Sequence, residues 1–343
     1  MSETASPLVR ICVPAYNSGA TLHETLDSLL LQTYQNLSIL VVDNASTDRT
    51  VEIAESYAAK DSRVRVVRNS ENVGGEGNFT RCLQLAAGKY TALFHSDDVY
   101  TPEIVARMTA FLDSHPQAGA VFSMAQLIDG QGNAGRIYRV PPELKGREEY
   151  GFDEIFRAVL KYGNFFFCPG VMARTEVYRD YIRIWDAGGF KTSADLDVWL
   201  RILLRFKIGI IDEPLLLYRG ASDTSFSYTA ARKRTAPADM LGVVSAYVNG
   251  PAAAIMGAKE LVDYDFLVLK DSINRAFNHF SVGEGRQGRA LLRGLLRPAT
   301  IMRSLGDSCR LKTTVYGLIV YLLSWLPLGE KSRGMVVNAR FRI

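Results

Sequence analysis

Lys89-Tyr90-Thr91-Ala92-Leu93-Phe94-His95-Ser96-Asp97-Asp98 is an apolar run that ends in two adjacent carboxylates, and Val99-Tyr100-Thr101-Pro102-Glu103 leads from it into a helix. A strand that carries two acids to its end is a place to hold a divalent cation against a diphosphate. Hard cations take oxygen ligands, and Mg2+ keeps one or two carboxylates beside waters and substrate phosphates. Acidic pairs after strands also occur as solvated turn residues or helix caps. The neighbouring segments decide between the two.

Upstream of this run the chain alternates strand and helix. Val9 to Pro14 reads as a strand stopped by proline, and Leu22, Leu26, Leu29 and Leu30 then recur at helical spacing. Leu37 to Asp43 reads as a second buried strand and Thr50 to Ala59 as a helix. Val64 to Arg68 makes a third strand, Gly77 to Ala86 a helix, and Tyr90 to His95 the strand with the acid pair. Such alternation predicts an α/β fold with a Rossmann-like, mostly parallel sheet flanked by helices. Ligands of these sheets bind beyond the carboxyl ends of the strands. Downstream, Ala120 to Ile128 and Ile208 to Ile211 read as strands, Asp153 to Tyr162 and Asp197 to Phe206 as helices, and the chain from about Ala231 as helices alone. A catalytic domain over residues 1–225 followed by a helical C-terminal region over 226–343 is the expected division.

The 343 residues suffice for a full core, and 48% apolar with 22% charged residues excludes disorder as the default. Met1 to Pro7 has neither a basic nor an apolar leader segment, so the cytosol is the expected compartment. Cys12, Cys82, Cys168 and Cys309 have no metal or redox spacing and read as reduced thiols. His23, His95, His115 and His279 show no metal-ligand spacing and read as structural or surface residues. No nucleophile elbow supports Ser-His-Asp hydrolysis.

Three more segments fall at predicted strand ends. Pro14-Ala15-Tyr16-Asn17 follows the first strand and Asp43-Asn44-Ala45-Ser46-Thr47-Asp48 the second. Thr47 or Asp48 can cap the next helix, which leaves Asp43 free to accept hydrogen bonds from a base or ribose, as acids do in other nucleotide sites. Asn72-Val73-Gly74-Gly75-Glu76-Gly77-Asn78-Phe79-Thr80-Arg81 places glycines where backbone can approach a ligand closely and an Arg a helical turn beyond, able to face a diphosphate.

Together with Gly88-Lys89-Tyr90 leading to Ser96-Asp97-Asp98 and with Asp195-Leu196-Asp197-Val198-Trp199-Leu200-Arg201, these segments resemble a family 2 glycosyltransferase with the GT-A fold, in order and spacing over roughly residues 8 to 220. The resemblance implies inverting transfer of one sugar from a nucleoside-diphosphate sugar. It implies that Pro14, Ala15, Tyr16, Asn17, Asp43, Asn72, Gly74, Arg81 and Asp97 bind the donor, and that Asp98 ligates Mg2+ or Mn2+. The family's Glu-Asp pair aligns with Ala194-Asp195, which makes Asp195 the general base and leaves Asp197 as a competitor that reads as structural or capping. Trp199 can serve an acceptor platform or the core, and Arg201 can pair with Asp197 at i+4. Two departures stand out: His95 occupies a position often acidic in relatives, and Tyr218-Arg219-Gly220 lacks a following His. The Gln-x-x-Arg-Trp element of processive synthases is absent.

The C-terminal region is basic and apolar. From Arg286 to Lys312 it holds Arg289, Arg293, Arg297, Arg303 and Arg310 against the single acid Asp307, and Leu291, Leu292, Leu295 and Leu296 alternate with the first of these. Thr313 to Gly329 carries no charge but is short for a span, which needs ~20 apolar residues. An anionic membrane surface on the cytoplasmic face is the expected partner, with a polyprenyl-diphosphate-linked saccharide as acceptor in surface polysaccharide or glycoconjugate synthesis. No nucleic-acid partner is expected. Packing on the catalytic domain or a homo-oligomer interface is the alternative for these helices. For the whole chain, the alternatives are a catalytically silent nucleotide-sugar-binding or scaffold subunit and a nucleotidyltransferase.

Overall fold

The computed structural model describes residues 6–220 and 234–326. Contacts divide the chain into two compact units, Met1–Ile155 with Phe165–Ser222, and Phe156–Asn164 with Asp223–Ile343. The sequence division at residues 225 and 226 falls within 221–233, outside the described residues.

The first unit is built on a sheet of ten strands: β1 (Val9–Ala15), β2 (Leu37–Asp43), β3 (Val64–Arg68), β4 (Tyr90–Leu93), β5 (Val99–Tyr100), β6 (Ala118–Ile128), β7 (Ala134–Ile137), β8 (Glu149–Tyr150), β9 (Val171–Arg174) and β10 (Lys207–Arg219). The order β3-β2-β1-β4-β9-β6-β10-β5 is parallel along β3-β2-β1-β4 and again between β6 and β10. β9 enters antiparallel to both β4 and β6. Its helices are α1 (Leu22–Leu30), α2 (Thr50–Ala58), α3 (Gly74–Gln84), α4 (Ile104–Ser114), α5 (Phe152–Tyr162) and α6 (Ala194–Leu203), with α5 continuing into the second unit.

β1 and β2 are near-continuous apolar runs because helices leave neither face of the sheet to water: Val9, Ile11, Val13, Ile39 and Val41 join Leu22, Leu26, Leu29 and Phe94 in one core. Full burial of such a side chain contributes about 1.5–3 kcal/mol. Gly88 has φ +77°, and a Cβ there would lie 2.4 Å from the carbonyl of Leu8. The Gly88-Lys89-Tyr90 turn into β4 therefore requires glycine.

The described part of the second unit beyond residue 233 is helical, as expected: α7 (Asp239–Val248), α8 (Ala258–Ser281), α9 (Gly285–Leu291), α10 (Pro298–Ser304) and α11 (Ser308–Leu323). Its core gathers Ile273, Ala276, Phe277, Leu292 and Val320. Of the leucines in 291–296, Leu296 is exposed, but the continuous outward face that the sequence suggests does not form. Leu292 and Leu295 are fully buried, because α9 ends at Leu291 and the chain turns before α10. Arg289 is likewise engaged internally, stacked 4.1 Å from the Trp325 ring. The outward apolar face lies on α11 and beyond its end, where Leu311, Val315, Ile319, Leu322 and Leu326 are exposed at helical spacing. Among the described residues no helix is long and apolar enough to cross a membrane.

Candidate active site

The carboxyl ends of β1, β2 and β4 lie side by side, and Ala15 is the register partner of Asp43. The loop after β1 and the loop after β2 are stitched together by Asn17. Its N–H donates to Ser46 Oγ at 2.9 Å, and its Oδ1 accepts the Thr47 N–H at 2.9 Å. Asn17 sits at φ 49° and Ala45 at φ 59°, left-handed conformations that non-glycine residues adopt only when the surroundings hold them. Tyr16 remains 47% exposed beside them. Asp43 is fully buried, accepting the Ser46 N–H at 3.2 Å, with the Arg68 Nε 3.9 Å away. Asp48 ties the start of α2 to the first loop, its Oδ1 accepting the Thr50 N–H and its Oδ2 the Gly19 N–H.

Asn44 joins this rim to the glycine loop. Its amide donates to Asn72 Oδ1 at 2.8 Å and to the Gly74 carbonyl at 3.1 Å, and accepts from Asn69 Nδ2 and the Val73 N–H. Gly74, at φ +77°, opens α3, and its N–H is held by Asn72 Oδ1 at 2.9 Å. Arg81 lies in the last turn of α3, exposed, with its guanidinium 3.3 Å from Gln84 Oε1. The structure thus brings Pro14 to Asn17, Asp43, Asn72 and Gly74 into one rim and sets Arg81 two turns along a helix from it.

The acid pair is held from three sides. Ser18 and Ser96 hydroxyls meet at 2.7 Å, the Thr21 hydroxyl donates to the Ser96 carbonyl, and the Thr25 hydroxyl donates to the Asp98 carbonyl at 2.7 Å. From β10, the Arg219 N–H donates to Asp98 Oδ1 at 2.7 Å and the Arg219 guanidinium to the Asp97 carbonyl at 2.9 Å. This meeting follows from the sheet: Val99 pairs with Leu217, two residues before Arg219. Arg219 is itself buried and paired with Glu24 at 2.7 Å.

Asp98 is wholly buried, and its second oxygen, Oδ2, has no hydrogen-bond partner. Burial, reinforced by the charge of Asp97, holds its carboxyl well above the usual range against the opposing pull of Arg219. A buried acceptor without a partner is costly, about 1–3 kcal/mol and more for a charged group. Ligand atoms of His95, Asp97 and Asp98 lie within 4.8 Å of one another. This donor set and the orphaned oxygen fit a divalent cation. A search for repeated His spacing cannot find a cluster made of one His and two Asp on a single strand end.

Asp195 lies half-buried in the first turn of α6, its Oδ1 accepting the Leu196 N–H at 2.7 Å. Its charge and that of Asp98 add to the burial that pushes the Cys168 thiol up, and both, with Asp97, add to the burial that raises Tyr218. Asp197 points elsewhere: it pairs with Arg201 at 2.7 Å, and Arg201 also donates to the carbonyls of Ile184 and Trp185. Trp199 is fully buried, edge-on to Phe122 and Trp185, and serves the core.

Residues 10–182 match the model of glycosyl transferase family 2. The UDP-Glc:alpha-D-GlcNAc-diphosphoundecaprenol beta-1,3-glucosyltransferase WfaP of Escherichia coli is 30% identical over 197 residues, covering 57% of this chain and 70% of that protein. Residues 1–349 of S. aureus TarS, in complex with UDP-GlcNAc, superpose with a TM-score of 0.53 at 18% identity, over 92% of this chain and 90% of that one. The mannosyltransferase PcManGT from Pyrobaculum calidifontis, in complex with GDP-Man and Mn2+, gives 0.52 at 16% identity, over 94% and 86%. The fold is the GT-A fold that the sequence predicts, and the chain belongs to glycosyl transferase family 2.

Proposed function

We propose that this member of glycosyl transferase family 2 moves one sugar, with inversion, from a nucleoside-diphosphate sugar to a hydroxyl of a lipid-linked saccharide. The observation that carries the reading is the fully buried Asp98, which presents an unpartnered carboxylate oxygen at the carboxyl ends of the parallel strands. In this reading the Pro14 to Asn17 loop and Asp43 hold the nucleoside, Asn72 and Gly74 shape the loop over it, and Asp97 accepts from the ribose. Arg81, which now meets the neutral Gln84, is assigned to diphosphate charge. Asp98 holds Mg2+ or Mn2+, and a bound cation of this kind offsets the charge that builds on a departing diphosphate. Asp195 takes the proton of the attacking hydroxyl. Its support is a half-buried place in the same electrostatic neighbourhood as Asp98, whereas Asp197 is committed to Arg201.

Support for a lipid-linked acceptor comes from WfaP, whose acceptor is a diphosphoundecaprenol-linked sugar. A peripheral place on the cytoplasmic membrane face is supported by the exposed stripe Leu311, Val315, Ile319 and Leu322, with exposed Arg293, Arg297, Arg303 and Lys312 on the same run of helices. The test is a screen of UDP- and GDP-sugars for Mn2+-dependent thermal stabilisation of the full chain, followed by transfer assays on polyprenyl-diphosphate saccharides. Stabilisation and transfer by one donor is the expected result. Binding without transfer or donor hydrolysis would assign the chain as a silent nucleotide-sugar-binding subunit. No binding by any donor would overturn the reading.

A further inference from the structure

We propose that His95 is a direct ligand of the divalent cation in this site, and that its nitrogen makes the site favour Mn2+ and other first-row transition ions over Mg2+. The inference rests on the metal-assisted reading above and extends it to a residue with no assigned role.

Two buried polar atoms near the acid pair lack partners, Asp98 Oδ2 and His95 Nε2. Their residues, with Asp97, form the one cluster of three His, Cys, Asp or Glu residues that, among the described residues, brings a ligand atom of each within 4.8 Å of the others. Donors sharing an ion at bond lengths of about 2.1 Å can be no more than about 4.2 Å apart, so these side chains need shift by less than an ångström to close on one. The backbone of His95 is anchored for this role: its N–H donates to the Tyr100 hydroxyl at 2.7 Å. Its ring is tilted against Phe79 with centroids 5.4 Å apart, and Phe79 stacks on Trp185 at 4.6 Å, which packs one side of the imidazole. An ordinary core histidine would have its buried ring nitrogen hydrogen-bonded.

The choice of ion follows from the donors. Mg2+ dehydrates reluctantly and prefers oxygen, whereas affinity of a mixed nitrogen and oxygen site rises along the first-row series from Mn2+. Replacing an all-oxygen set by one containing imidazole therefore tilts the ratio of affinities away from Mg2+.

The experiment loads the full chain with Mn2+, with and without uridine diphosphate, and reads two signals: the pulsed electron paramagnetic resonance of bound Mn2+ and the Mn2+ and Mg2+ affinities by titration. Modulation from a directly bound 14N nucleus is expected in the wild type and should vanish in His95→Asn. Mn2+ affinity should fall at least about tenfold in His95→Asn, the scale seen when metal-site support is removed, with Mg2+ affinity changed far less. The wild-type spectrum needs no variant, so a folding defect in His95→Asn cannot hide the answer. Absence of the 14N signal in the wild type, or no Mn2+ binding in either condition, overturns the proposal. Sugar transfer without the nitrogen signal removes His95 and leaves the transferase reading intact. A nitrogen-bound ion in a chain that binds no nucleotide sugar does the reverse.

Discussion

The main-chain N–H of Arg219 donates to Asp98 Oδ1 at 2.7 Å, so one oxygen of the buried carboxyl group is fixed and the other is left without a partner. The Arg219 side chain completes the clamp through the Asp97 carbonyl and Glu24. We predict that Arg219→Ala, which keeps the main-chain N–H to Asp98 but strips the buried guanidinium from the Asp97 carbonyl and Glu24, weakens Mn2+ binding several-fold and costs about 1–3 kcal/mol of stability. Glu24→Gln, whose partner stays hydrogen-bonded, should do less of both. Titration of Mn2+ and denaturant unfolding check this. Unchanged metal affinity in Arg219→Ala would show that the main-chain contact suffices.

Arg219 was not legible as a clamp in the sequence, because its partners lie at Glu24, Asp97, Asp98 and Asp129, and only the β5 and β10 pairing brings them together. β1, β2 and β3 were legible because buried parallel strands are long apolar runs bounded by turn residues. β9 was not: it has four residues behind Pro169-Gly170 and is defined by its antiparallel neighbours. β10 was seen only as Ile208 to Ile211, since Pro214 reads as a stop although the strand passes it with a shift of register. The rim residues at strand ends were legible from topology alone, while the inward packing of Leu292 and Leu295 needed the turn after α9.

Asp195→Asn should retain donor binding and lower transfer by ~10²-fold or more, the scale of a lost general base. Asp197→Asn should act on folding, by releasing Arg201 from the carboxylate beside the 184–185 carbonyls. Single-turnover rates and unfolding curves of both variants separate the two effects. A catalytic loss confined to Asp197→Asn would transfer the role of base to that residue.

The exposed stripe of α11 predicts its own test. Ile319→Glu with Leu322→Glu should reduce cosedimentation with anionic liposomes by about tenfold or more while the fold stays intact. Replacing Arg293 and Arg297 by Gln should cost about 1 kcal/mol each, an effect that fades at high salt. Liposome binding that ignores both pairs of changes would point to an interface with protein instead.

Asp307 caps α11, accepting from the N–H groups of Cys309 and Arg310, and pairs with Lys161 at 2.8 Å. Burial works to raise its carboxyl, but Lys161 and the two N–H groups outweigh it and hold the carboxyl below the usual range. Because the folded value is depressed, the stabilisation is present above the unfolded pKa of about 3.9 and is lost as pH falls through the folded value. Asp307→Ala should cost about 0.5–2 kcal/mol at neutral pH, and Asp307→Asn less, since an amide still caps. Denaturation of the full chain at pH 7 and below pH about 4 should show the Asp307→Ala difference shrinking at the acid end.

We propose that Asp98 serves ligand binding at the expense of the empty fold, and Asp98→Asn isolates that trade. The substitution keeps shape and removes the ability to ionise, which burial already opposes in the empty site. The metal-free variant should unfold no more easily than the wild type, while Mn2+-dependent donor binding and sugar transfer should be lost. Near-normal metal-dependent transfer by a folded Asp98→Asn protein would contradict it.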